Sequence, residues 1–165
     1  MSGEVSFDVV SDFDRQELVN ALDQVRREIG TRFDFRGARA DVELGKEEIA
    51  IHTDAETRAQ AIRDLIESKA IRRGLSLKIF DWGKVEPAGG STVRQVVTLR
   101  RGLTDELAKR IVKLLRDEFP RVKGQIQGDA VRVSGKSKDD LQRVIARLRE
   151  EGESYPLPLQ FQNYR

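Results

Sequence analysis

The segment GQIQGDAVRVSGKSKDDL, residues 124–141, reads as a polar strand, a two-residue turn, a basic strand and the start of a helix. Gly128-Asp129 supplies the positive φ that a tight hairpin turn needs. From Ala130 to Ser134 the residues alternate, so Val131 and Val133 share one face while Arg132 and Ser134 share the other. On the preceding strand Gln125 and Gln127 point away from Val122 and Ile126. One sheet face therefore carries amides and a guanidinium, and it ends at a helix N-terminus beside Lys136 and Ser137. Such a surface matches phosphates and nucleobase edges. The same pattern also describes an open antiparallel sheet whose second face simply stays wet.

Outward from this segment, the chain reads as β-α-β-β-α-β written twice. In the first copy a strand at 5–10 leads to a helix near 12–30. A hairpin at 38–44 and 47–53, a helix near 54–73 and a strand near 76–82 follow. The second copy runs through a strand at 92–100, a helix at 104–119, strands at 121–127 and 130–134, a helix at 137–152 and a strand near 157–163. Ser11-x-x-Asp14, Thr53-x-x-Glu56 and Ser137-x-x-Asp140 resemble capping boxes, and Thr104 suits the remaining helix start. Apolar stripes agree: Leu18, Leu22, Val25 and Ile29; Leu107, Ile111 and Leu114; Leu141, Val144, Ile145 and Leu148. Each stripe covers one sheet face and leaves the other open. The expected fold class is α+β, two ferredoxin-like βαββαβ domains with helices on one face of each antiparallel sheet. The stretch GKVEPAGGS, residues 83–91, reads as the linker, giving domains at 1–90 and 91–165. The terminal segments VSFDVV and LQFQNY are both aromatic-bearing strands with acid or amide neighbours. They suit one shared sheet, in which case the domains exchange terminal strands, and otherwise each closes its own domain.

With 165 residues the chain can bury one core or two small ones, and its 35% charged content has both signs mixed. No apolar run is long enough to span a membrane and no signal-peptide pattern opens the sequence, so a cytoplasmic location without membrane contact is expected. The absence of cysteine excludes disulfides, thiolate metal sites and a cysteine nucleophile. The net charge of +2 is unevenly spread along the chain. Residues 1–90 hold 14 Lys/Arg against 18 Asp/Glu (−4), whereas residues 91–165 hold 16 against 10 (+6). By this division an anionic partner prefers the C-terminal half.

Several segments together resemble the YajQ family of bacterial nucleotide-binding proteins: VSFDVVSDFD, ELVNALDQVRREIGTRFDFRG, RQVVTLRRGL, QIQGDAVRVSGKSKDDLQ and LQFQNYR. They occur in order along nearly the whole length. The resemblance implies two ferredoxin-like domains, exchanged terminal strands, and a cytoplasmic protein without established catalytic activity. It also implies nucleotide binding, with cyclic di-GMP as the ligand proposed for some members, and contact with RNA or a regulatory protein.

Four sets of residues are candidates for function. Strand 92–100 places Arg94 and Arg100 opposite Gln95 and Val97. If it pairs beside 130–134, then Arg94, Arg100 and Arg132 share a surface with Gln125 and Gln127, and separated guanidiniums suit a bis-phosphate ligand. SGKS, residues 134–137, resembles the tail of a P-loop, but Ala130 replaces the first glycine and VRVS is strand-like. Backbone amides committed to a ladder cannot wrap a triphosphate, so a P-loop is excluded; one phosphate held by Lys136 and the Ser137 amide remains. In TRFDFRG, residues 31–37, Phe33 reads as a packing residue, while Phe35 and Arg36 are a secondary candidate pair for base and phosphate. Binding of tRNA or rRNA would depend on charge rather than stacking, because Phe7 is the only aromatic on the strands comparable to an RRM's central pair. His52, the only histidine, has no visible co-ligands, so neither a metal site nor a cofactor is expected. The expected function is a non-enzymatic receptor for cyclic di-GMP, GTP or ATP. An RNA module and a protein-interaction adaptor are the alternatives.

Overall fold

The computed structural model describes residues 3–165. Its strands are β1 (Val5–Val10), β2 (Ala40–Leu44), β3 (Glu48–Thr53), β4 (Phe80–Trp82), β5 (Glu86–Pro87), β6 (Val93–Leu99), β7 (Val122–Gln127), β8 (Ala130–Gly135) and β9 (Gln160–Gln162). The helices are α1 (Arg15–Thr31), α2 (Glu56–Arg72), α3 (Asp105–Glu118) and α4 (Lys138–Glu150). Capping explains most of the helix starts. Thr104 accepts from the Leu107 amide and Ser137 from the Asp140 amide, as their spacing predicts. For α1 the cap is Asp14 rather than Ser11, and it accepts from the Gln16 and Glu17 amides. Helix α2 starts at Ala55 without a side-chain cap, because the Thr53 hydroxyl is buried and donates to the Arg39 carbonyl.

The chain forms two compact units, and both are ferredoxin-like. A continuous unit runs from Phe13 to Arg100, and a split unit joins the residues up to Asp12 to those from Arg101 onward. In the split unit the strand order is β7-β8-β1-β9, with every pair antiparallel. Phe7, Val9, Val131 and Val133 project from this sheet into a core shared with Leu107, Ile111, Leu115, Val144 and Leu148. The continuous unit has the order β2-β3-β6-β4, with β5 also paired to β6. There Ile49, Ile51 and Val97 pack under Leu18, Leu22, Val25, Ile62 and Ile66. Relative to the twofold β-α-β-β-α-β pattern, the first strand of each copy has moved to the other copy's sheet. β1 therefore sits between β8 and β9, and β6 between β3 and β4.

This arrangement corrects two expectations. Strand 92–100 does not lie beside 130–134, and the sequence 83–91 is not a linker between units. It forms the return of a hairpin. Gly89, Gly90 and Ser91 all have positive φ, the Ala88 amide donates to the Thr92 carbonyl at 3.0 Å, and the Thr92 amide donates to Gly89 at 3.0 Å. The chain leaving β4 thus folds back along itself, and β6 must join the sheet that β4 closes. Gly83 allows the close approach: a Cβ there would lie 2.7 Å from the Val96 carbonyl oxygen. The Gly83 amide donates to that oxygen, and the buried Gln95 amide donates to the Gly83 carbonyl at 2.8 Å. The compact units are divided elsewhere, after Asp12 and after Arg100.

Regrouping the strands removes the charge asymmetry. The split unit holds 14 Lys/Arg against 13 Asp/Glu and the continuous unit 16 against 15, so each carries +1.

Candidate functional site

In the split unit, α3 and α4 pack on one face of the sheet and leave the other face to polar side chains. The register sets Gln125 of β7 opposite Arg132 of β8, Arg132 opposite Asp8 of β1, and Asp8 opposite Gln162 of β9. This row crosses all four strands. The next row holds Lys123, Ser134 and Ser6, and on the other side Gln127 faces Ala130.

The centre of the row is an ion pair. Arg132 donates through Nε to Asp8 Oδ1 at 3.0 Å and through Nη2 to Oδ2 at 3.4 Å. Asn163 Nδ2 donates to Asp8 Oδ2 at 2.9 Å. Asn163 reaches that oxygen because it adopts a φ of 56°, a left-handed conformation that asparagine tolerates. It also offsets the register, because Ser6 exchanges both backbone hydrogen bonds with Arg165. Two residues, Asn163 and Tyr164, thus oppose Phe7 in a bulge. The Arg132 guanidinium holds the Asp8 carboxyl below the usual carboxylate range, against the opposing effect of burial and with help from Asn163.

At one end of the rows, between the start of β7, the end of β8 and the N-terminus of α4, lies a pocket of about 380 Å³. Arg121, Lys123, Lys136, Ser137, Glu4 and Asp140 contribute to its lining. Arg121, Lys123 and Lys136 are exposed and make no ion pair among the described residues. Lys123 belongs to both the pocket and the open face, so the two form one surface. From Lys123 to Gln127 the strand rises about 13 Å. The Ser137 hydroxyl accepts the cap bond from the Asp140 amide at 3.3 Å, and Arg143 pairs with Asp140 at 3.2 Å.

The structure brings Gln125, Gln127, Arg132, Lys136 and Ser137 onto this surface and separates the remaining candidates from it. Arg94 and Arg100 belong to the continuous unit, so the expected three-arginine face does not form. Arg94 lies opposite His52 and Glu86 in the other sheet. Arg100 donates to the Lys78 carbonyl at 3.3 Å and pairs with Asp81 at 3.5 Å. The expectation for residues 31–37 is reversed. Phe35 is the core residue at 4% exposure, and Phe33 is 81% exposed, beneath the Arg36 guanidinium at 5.3 Å. His52 Nε2 lies 2.9 Å from the Thr92 hydroxyl. Among the described residues no group of three or more His, Asp or Glu side chains is arranged for a metal, and no helix is long and apolar enough to cross a membrane. Asp8, Gln162, Asn163, Arg121 and Lys123 were not singled out from sequence. The signals present were the acid in VSFDVV, where alternation sets Asp8 opposite Phe7 and Val9, and the amides in LQFQNY, which include Gln162 and Asn163.

The fold and site define a protein of two strand-exchanged ferredoxin-like units, one of which presents an open polar sheet face running into a basic pocket. Comparison with known proteins assigns the family. The model of the YajQ-like nucleotide-binding proteins matches residues 5–165. The chain is 58% identical to a nucleotide-binding protein of Chloroflexus aggregans, over the full length of both. It is 56% identical to one from Thermosynechococcus vestitus and 55% identical to one from Trichormus variabilis, again over the full length of each. The chain belongs to the YajQ-like family.

Proposed function

We propose that this protein is a non-catalytic receptor for an anionic nucleotide, which binds on the open face of the split unit and alters affinity for a macromolecular partner. A phosphate occupies the pocket among Lys136, Lys123 and Arg121, and the Ser137 hydroxyl donates to it while still accepting its cap bond. The base lies along β7 and β8, where the Gln125 and Gln127 amides meet its edge. One observation carries this reading: the polar cross-strand rows run without interruption into a pocket with three unpaired cations. Arg132 has a different role from the one its sequence position suggests. Its charge is already committed to Asp8, so it orients the row rather than gripping a phosphate. The names of the full-length relatives support nucleotide binding as the shared activity.

The ligand class is tested by calorimetric titration with cyclic di-GMP, GTP, ATP and bulk tRNA at physiological salt. Saturable binding of one nucleotide, weakened about tenfold by Lys136→Ala through the loss of one charge-assisted hydrogen bond, is the expected result. Cyclic di-GMP, with two phosphates, fits if Lys123→Ala and Lys136→Ala weaken it cumulatively. Silence toward every nucleotide together with binding of tRNA would replace this reading with the RNA module.

A further inference from the structure

A sheet edge is a row of unpaired backbone donors and acceptors, and folded proteins protect such rows. The split and continuous sheets have four edges, and three of them are short or covered. β4 and β9 are three residues each, β5, which continues the β4 edge along β6, is two, and β9 ends in the Asn163 bulge. On β2 the outward carbonyl of Val42 accepts from Arg26 Nε at 3.0 Å and from Nη2 at 2.8 Å. β7 is different. It is six residues long and, among the described residues, pairs only with β8.

The register shows which groups of β7 are free. The two-residue loop Gly128-Asp129 makes Gln127 and Ala130 the hydrogen-bonded closing pair. Alternation along an antiparallel ladder then makes Gln125–Arg132 and Lys123–Ser134 the other bonded pairs. Val122, Gly124 and Ile126 turn their amides and carbonyls outward. The Val122 amide donates to Phe119 at 3.0 Å, which leaves the Val122 carbonyl and both backbone groups of Gly124 and Ile126.

We propose that β7 pairs antiparallel with β7 of a second copy of this chain, about a twofold axis through Gln125. The strand is self-complementary in that register. Gly124 faces Ile126 of the other copy, and each such pair exchanges two backbone hydrogen bonds, so the amides and carbonyls of Gly124 and Ile126 are satisfied on both copies. Gln125 faces its own counterpart, amide to amide. Lys123 faces Gln127, so no like charges oppose each other. Ile126, 40% exposed in one copy, lies beside Gly124, over which Leu115 and Val112 of α3 pack. The two sheets become one of eight strands.

Because the protein has no cysteine, a single introduced thiol reports the register directly. In full-length protein, Gln125→Cys places two sulfurs on a directly opposed, non-hydrogen-bonded pair, close enough to form a disulfide. Lys123→Cys places them about 13 Å apart, too far to bridge. Rapid oxidative cross-linking of the first variant and not the second is the expected result. Ile126→Pro removes an outward amide without touching the β8 ladder, and should convert the sedimenting dimer to a monomer with an unchanged far-UV circular dichroism spectrum. Wild-type protein that sediments as a monomer at high micromolar concentration would overturn the proposal. So would a dimer in which the Gln125→Cys variant cross-links no faster than the Lys123→Cys variant.

Discussion

Phe7 offers the sharpest test of the exchanged strands, because it belongs to the first strand of the chain but to the core built by residues 101–165. It is fully buried. Its ring meets Phe161 edge-on at 5.9 Å and stacks with Tyr164 at 6.1 Å. Phe7→Leu keeps most of the apolar burial and removes both ring contacts. At roughly 0.5–1.5 kcal/mol for each aromatic pair, the loss is in the range 1–3 kcal/mol. If the split unit opens cooperatively, this speeds exchange of its most protected amides by about 5- to 150-fold. Hydrogen–deuterium exchange followed by peptide mass spectrometry reads the effect by segment. Amides in β8 and β9 should accelerate, although both strands lie far along the chain from the substitution. Those in β2, β3 and β6 should keep their protection. Acceleration in 40–53 instead of 130–135 would refute the exchange and return β1 to the first copy's sheet.

Three further outcomes follow from local geometry. Asp8 has a lowered pKa in the folded protein, so the ion pair contributes stability above the unfolded carboxylate value near 3.9 and loses it as pH falls through the folded value. The stability gap between wild type and Arg132→Met, measured by urea unfolding, should therefore be widest near neutrality and close in acid; a constant gap down to strong acid would show that the pair does not act through charge. Gly83→Ala forces a Cβ against the Val96 carbonyl oxygen, 2.7 Å away. It should destabilise the continuous unit by about 1–3 kcal/mol in denaturant titration, and a neutral result would mean that the hairpin relaxes freely. Ser137→Ala removes the α4 cap and should lower the stability of the split unit by ~0.5–2 kcal/mol, with no change in melting counting against the cap.

Periodicity and capping residues located all four helices and eight of the nine strands within a few residues, because each element buries an apolar face with its own period. The pairing of those strands was less legible. GKVEPAGGS has the same composition whether it joins two domains or turns one hairpin, and only the three consecutive positive φ values and the tight approach at Gly83 distinguish the two. Treating it as a linker put Arg94 and Arg100 on a sheet to which they do not belong. Phe33 and Phe35 were interchanged for a similar reason. Alternation would put both on one face, whereas the helical turn Phe33–Phe35 after α1 sends them to different sides, and the sequence does not say which goes inward. The half of the site made by Gln125, Gln127, Lys136 and Ser137 could be read locally, since it lies within one hairpin and the helix that follows. Asp8 could not, because its partner Arg132 lies 124 residues away.

The regrouped charges sharpen the choice between a nucleotide and a nucleic acid. Along the sequence the last 75 residues carry +6 and are the half an anionic partner is expected to prefer, but the folded split unit carries only +1. On the open face and its pocket, the cations without an ion pair among the described residues are Arg121, Lys123 and Lys136, with Glu4 and Asp140 on the same pocket wall. A strand of RNA laid across this face would meet carboxylates nearly as often as cations, whereas a single phosphate can occupy the cationic side alone. Were tRNA held only by those three cations, the slope of log affinity against log salt would be about −2 to −3. A measured slope much steeper than that, with Lys123→Ala and Lys136→Ala leaving it unchanged, would place the contacts elsewhere on the protein. A shallow slope abolished by the two substitutions would tie the RNA contact to the pocket of Arg121, Lys123 and Lys136.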